Sequence, residues 1–122
     1  MKPIFVFGSN LAGNHAGGAA SQAVRMYGAI MGQGEGLQGD SYALPTMSKD
    51  LRSLTLSDVG TAVGRFLEFA RNHPELRFHI TAVGCGIAGF KRENIIPLFA
   101  GAPENCFFFE AAFGQVVAGA MV

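Results

Sequence analysis

Twice along this chain a short apolar run stops at a cluster of glycines, and a helical pattern follows. Ile4-Phe5-Val6-Phe7 ends at Gly8-Ser9-Asn10. The loop Gly13-Asn14-His15-Ala16-Gly17-Gly18 then leads into Ala19, Ala20, Ala23, Val24 and Tyr27 at helical spacing, with Gly28 as the stop. Arg77 to Val83 is a second strand, ending at Gly84-Cys85-Gly86-Ile87-Ala88-Gly89-Phe90, and a short helix from about Arg92 to Phe99 is expected behind it. A continuous apolar run marks a strand buried on both faces. Strands alternating with helices predict a three-layer α/β/α sandwich with a mixed, largely parallel sheet.

The rest of the chain fits that frame. Residues 32–40 are loop by composition, and Ser41-Tyr42-Ala43-Leu44 is a short strand closed by Pro45. Residues 46–56 carry no clear pattern. Ser57 is the expected N-cap of a helix, with Asp58 in its first turn and Val59, Val63, Phe66, Leu67 and Ala70 on one stripe. That helix should end near Asn72-His73-Pro74. Cys106-Phe107-Phe108-Phe109 is the last buried strand, and the apolar tail 110–122 is expected as a short helix. A chain of 122 residues with no linker or internal repeat is read as one domain, 1–122.

Composition removes several classes. Hydrophobic residues make up 49% and charged residues 15%, which excludes disorder. Nine of the 17 glycines lie within residues 8–39 without a three-residue period, so collagen is excluded. Lys and Arg number 9 against 9 Asp and Glu, so there is no direct nucleic-acid signal. No apolar run reaches the roughly 18 residues of a membrane span or the h-region of a secretory signal. The two cysteines, 85 and 106, form neither a Cys-x-x-Cys pair nor a zinc spacing. A cytoplasmic protein with reduced thiols is expected, with no metal, no cofactor and no membrane partner.

Both glycine loops follow a strand and precede a helix. In open α/β sheets, ligands bind outside the carboxyl ends of strands, where glycine lets backbone N–H groups approach an anion and a helix N-terminus adds positive potential. Two such loops side by side would form an anion cradle needing no net positive charge. Gly84-x-Gly86-x-x-Gly89 also matches the dinucleotide fingerprint literally, with Glu110 at the end of the next strand. Against that reading, the following helix is short and contains Pro97, and too few residues remain for a second βαβ half.

Three segments carry a resemblance to a known family: Phe7-Gly8-Ser9-Asn10-Leu11-Ala12-Gly13-Asn14-His15-Ala16-Gly17-Gly18-Ala19-Ala20, then Gly34-Glu35-Gly36-Leu37-Gln38-Gly39-Asp40-Ser41-Tyr42-Ala43-Leu44-Pro45-Thr46, then Val83-Gly84-Cys85-Gly86-Ile87-Ala88-Gly89-Phe90. In this order they resemble the compact macro domains of bacterial and phage genomes. The resemblance implies binding of ADP-ribose, a related nucleotide metabolite or an ADP-ribosylated macromolecule, with hydrolysis of the ADP-ribosyl linkage in some members. It implies that Ser9 and Asn10 lie at the distal ribose and that Gly13, Gly17 and Gly18 follow the ribose and pyrophosphate. It further implies that Gly84, Cys85, Gly86, Ile87, Ala88 and Gly89 wrap the phosphates and that Phe90 packs on the ribose. Macro domains usually have one more strand at the start, bearing an Asp for adenine. Phe7 stands where a further Asn is frequent, and Lys91 where Pro is.

Single residues keep two readings. Asn10 either bonds a ribose hydroxyl or caps a turn. His15 is either a general base near a glycosidic carbon, paired with Asn10 in a catalytic role, or an exposed loop residue. Cys85 has no base adjacent in sequence and reads as small filler rather than nucleophile. Glu35 and Asp40 are either ligand contacts or solvated loop charges. Two further functions stay open: a nicotinamide-dinucleotide module built on Gly84 to Gly89, and a protein-interaction module with no small ligand.

Overall fold

The computed structural model describes residues 3–109 and the strand Ala120–Met121. The elements run β1 Ile4–Asn10, α1 Gly18–Met26, β2 Gly36–Gln38, β3 Ser41–Met47, α2 Leu56–Arg71, β4 Phe78–Ile80, α3 Arg92–Ile95, a 3-10 turn Ile96–Phe99, β5 Cys106–Phe108 and β6 Ala120–Met121. The sheet order is β2-β3-β1-β4-β5-β6. Only β2 against β3 is antiparallel; every other pairing is parallel. The fold is an α/β sandwich with a mixed, mostly parallel sheet.

Alternation along each strand divides the sheet into two faces. Ile4, Val6, Tyr42, Leu44, Phe78, Ile80, Cys106 and Phe108 point to the side of α2 and the 3-10 turn, where Val59, Val63, Phe66, Leu67, Ala70 and Phe99 meet them. Phe66 sits at the centre, edge-on to Tyr42 at 4.9 Å and to Phe78 at 5.2 Å between ring centroids. A fully buried Phe of this kind contributes about 1.5–3 kcal/mol. Phe5, Phe7 and Ala43 point the other way, against Ala20 and Ala23 of α1. The buried residues that α1 brings to this layer are small, and Tyr27 closes it by stacking on Phe5 at 4.4 Å.

Several boundaries differ from the sequence expectation, each because a tertiary partner overrides a local preference. β1 runs on through Gly8-Ser9-Asn10, because β3 lies alongside and the pair Gly8 with Leu44 and Ser9 with Pro45. β3 likewise continues through Pro45: beyond Ala43, β2 no longer flanks it, so no second neighbour needs the missing N–H. Gly36–Gln38, expected as loop, is a short strand turned back on β3. The N-cap of α2 is Thr55, whose Oγ1 accepts from the Asp58 amide at 3.1 Å; Ser57 lies inside the helix. β4 stops at Ile80, where the chain turns through Val83 N–H to Thr81 O at 2.7 Å. In the tail, Ala120–Met121 form a strand parallel to β5 rather than a helix. Glu110 and the remainder of the expected tail helix lie outside the described residues.

One topological feature positions the site. From β1 the chain crosses by α1 and β2 to β3 on one side; from β4 it crosses by α3 to β5 on the other. β1 and β4 are parallel neighbours, so the connections leaving their carboxyl ends diverge and open a crevice between them.

Candidate functional site

The crevice is a cleft of 690 Å³ at the carboxyl ends of β1 and β4. One wall is Ser9, Asn10, Asn14 and the entry of α1 from Ala16 to Ala20; the other is Thr81 to Ala88 with Phe90 and Arg92. Thr46, Met47 and Leu51 contribute a third side.

The first wall is organised by Asn10. A register shift between Ser9 and Asn10 sets two β3 residues, Pro45 and Met47, against consecutive β1 residues and leaves Thr46 extra. Such bulges re-aim the side chain that follows. The Asn10 amide closes the loop in both directions: Nδ2 donates to the Asn14 carbonyl at 2.9 Å, and Oδ1 accepts from the Asn14 N–H at 2.9 Å. One donor hydrogen and one lone pair remain on that amide. Ser9 donates its hydroxyl to the Gly34 carbonyl. Gly17 is the N-cap of α1, with no side-chain cap bond and no acidic residue in the first turn. The first-turn amides of α1 have no carbonyl within the helix to satisfy them, and the residues that carry them, Gly18 to Ala20, line the cleft.

The second wall is a self-bonded loop. Cys85 N–H reaches Ala82 O at 3.1 Å, Gly89 N–H reaches Gly86 O at 2.9 Å and Phe90 N–H reaches Gly84 O at 2.9 Å. The amides of Gly86, Ile87 and Ala88 donate to no protein group among the described residues. Successive unbonded amides of this kind form an anion-binding concavity. The Cβ position of Gly86 meets nothing within 4 Å, as at Gly17 and Gly18, so both walls present backbone rather than side chain. Arg92 is the cation lining the cleft, and no Asp or Glu lines it among the described residues. Burial pushes the Cys85 thiol up and Arg92 offsets this in part. The Cys85 thiol sets its Sγ on the Val83 carbonyl at 3.7 Å.

Of the residues expected in the site, Ser9, Asn10, Gly17, Gly18, Gly84, Cys85, Gly86, Ile87, Ala88 and Phe90 line the cleft together. Gly13, His15 and Gly89 do not. His15 is 2% exposed rather than a surface loop residue. Its Nε2 donates to the Gln33 carbonyl at 2.9 Å, its ring stands edge-on to Phe7 at 5.1 Å, and its Nδ1 has no hydrogen-bond partner among the described residues. It holds the two halves of the 10–34 segment together from inside. Gly13 packs against the backbone of Gly32 and Gln33, and Gly89 closes a turn at φ +81°. Glu35 also lies away from the cleft, in a two-pronged ion pair with Arg65 of α2 at 2.6 and 2.9 Å. Asp40 turns the chain between β2 and β3, with its amide on Tyr27 O at 2.8 Å.

Met47 and Leu51 reach the cleft without any motif that marks them in sequence, and Thr46 and Thr81, within segments the sequence does mark, join them there. Residues 46–54 form a tight hairpin, with Ser48 N–H on Arg52 O at 2.7 Å and Leu54 N–H on Thr46 O at 3.0 Å. Ser53 donates its hydroxyl to the Ala88 carbonyl and ties this hairpin to the second loop. Among the described residues no group of three His, Cys, Asp or Glu could hold a metal ion, and no helix is long and apolar enough to cross a membrane. Comparison with models of known protein families, with curated proteins and with solved structures found no match.

Proposed function

We propose that the cleft binds ADP-ribose or a closely related nucleotide metabolite through its diphosphate. The observation that carries this reading is that two sets of unsatisfied backbone amides, the uncapped entry of α1 and the Gly86 to Ala88 arc, belong to residues lining one crevice. Backbone amides in a cleft that no carboxylate lines among the described residues are matched to a dianion, and Arg92 adds charge beside them. The volume of 690 Å³ lies within the range of small-molecule sites. The likeness of the three glycine-bearing segments to macro domains supports the same ligand and extends it to ADP-ribosylated macromolecules as partners.

The reading is one of binding. No imidazole or carboxylate lines the cleft among the described residues to serve as general base, and Asn10 has half its amide committed to the loop. A reducing cytoplasm belongs to the same proposal and rests on Cys85 and Cys106, both unpaired thiols.

Calorimetric titration with ADP-ribose tests it. Saturable heat and a thermal shift are expected at up to millimolar ligand; their absence rejects the reading. Gly86→Val places a branched side chain in open space above the amide arc. It should abolish binding, a loss of about 100-fold or more, while leaving the melting temperature within about 3 °C of the parent.

A further inference from the structure

Polar side chains around the cleft are partly engaged by the protein's own backbone. Ser9 Oγ donates to Gly34 O, Thr46 Oγ1 to Ser9 O at 3.3 Å and Thr81 Oγ1 to Val6 O at 2.8 Å, while the Asn10 amide gives one donor hydrogen and one lone pair to Asn14. No acidic side chain reaches the cleft among the described residues. Beyond these, the polar side chains lining the cleft are the Asn14 amide, out in solvent, and Arg92, which is engaged elsewhere and sits beside the second glycine loop.

The solvent side of the cleft is instead apolar. Ile87 is 85% exposed and Leu51 is 50% exposed, and both line it, with Met47 behind. Leu51 is held in a conformation that leucine avoids. At φ 62° it is the one non-glycine residue with positive φ among the described residues, while nine glycines occupy such positions. Its amide bonds Ser48 O at 3.1 Å, which fixes the turn. A branched side chain in the left-handed region is strained, and half-exposed here it gains little packing in return. Glycine would serve the turn better. The side chain therefore has its use in the cleft.

We infer that Leu51 and Ile87 form an apolar clamp that grips the flat face of a nucleobase without reading its edge. The site accordingly takes nucleoside diphosphates of any base. This rests on the diphosphate reading of the cleft. Phosphate supplies the anchor, ring contact supplies further affinity, and discrimination between bases, which needs directed hydrogen bonds, is weak.

The test is a titration of ADP, GDP, CDP, UDP and inorganic pyrophosphate against the parent protein and Leu51→Gly. The four nucleotides should fall within about fivefold of one another and bind about tenfold or more tighter than pyrophosphate. Leu51→Gly should weaken all four about tenfold and leave pyrophosphate unchanged. It should melt at or above the parent temperature, because glycine takes φ 62° without strain. Preference for one base by about 30-fold or more overturns the clamp, and so does equal nucleotide binding by Leu51→Gly. If neither pyrophosphate nor any nucleotide binds, the diphosphate reading falls and the clamp with it. Pyrophosphate binding with strong base preference rejects the clamp alone.

Discussion

Glycines 13 and 34 and glycines 17, 18 and 86 are the same residue in loops of similar composition, and they do opposite things. A Cβ at Gly13 would lie 2.3 Å from the Gly32 carbonyl carbon, and one at Gly34 would lie 2.5 Å from the Asn10 carbonyl oxygen. These glycines form a seam where the segment after β1 and the segment before β2 lie backbone to backbone. His15 bridges that seam through Gln33. At Gly17, Gly18 and Gly86 an added Cβ would meet nothing within 4 Å. There the absent side chain leaves amides open to a cleft. Glycine thus permits close packing in the seam and leaves open space at the cleft, and composition cannot tell the two apart.

The contrast is broken most sharply by substitution in the seam. Gly13→Ala meets the Gly32 backbone and must also hold φ +71°, so it should cost about 3 kcal/mol or more and lower the melting temperature by roughly 10 °C or more. His15→Ala removes a buried ring and leaves the Gln33 carbonyl without its side-chain donor, at a cost of about 2–3 kcal/mol. Below its melting temperature the variant should bind ADP-ribose as the parent does. A selective loss of binding by folded His15→Ala would move this residue from the seam to the site. The smallest effect belongs to the cleft: Gly86→Ala should change stability by no more than about 0.5 kcal/mol in denaturant unfolding. A cost near that of Gly13→Ala would dissolve the distinction between the two sets.

Much of the architecture was legible from periodicity. The apolar runs 4–7 and 106–109 and the stripe Val59, Val63, Phe66, Leu67 and Ala70 announce buried strands and an amphipathic helix, because each must hide the same side chains in any fold. The two glycine loops announce a cleft for the same kind of reason: a strand that ends in glycine and leads to a helix leaves amides without partners. Illegible were the features made by a neighbour. Pro45 reads as a strand end, and only the absence of a second flanking strand at that register lets β3 continue. Thr55, not Ser57, caps α2, a choice between two hydroxyls that local sequence does not settle. Leu51 has Met47 and Leu54 at helical spacing, yet no helix forms there, and only the hairpin brings it to the cleft.

The middle glycine cluster shows where the division falls. Sequence alone determined that glycine-rich loops would follow the strands that begin at Ile4 and near Phe78, since this follows from backbone freedom and side-chain pattern within a few residues, whereas residues 32–40, read as loop, hold the strand Gly36–Gln38. Tertiary structure alone decided that Gly34 lies on Asn10 and Leu11, that His15 is buried on Gln33, and that Glu35 is drawn to Arg65 rather than to the cleft. Those outcomes depend on where β3 and α2 come to rest beside β1. Contacts between segments distant in the chain are set by the packing of the whole sheet, and no local pattern encodes them.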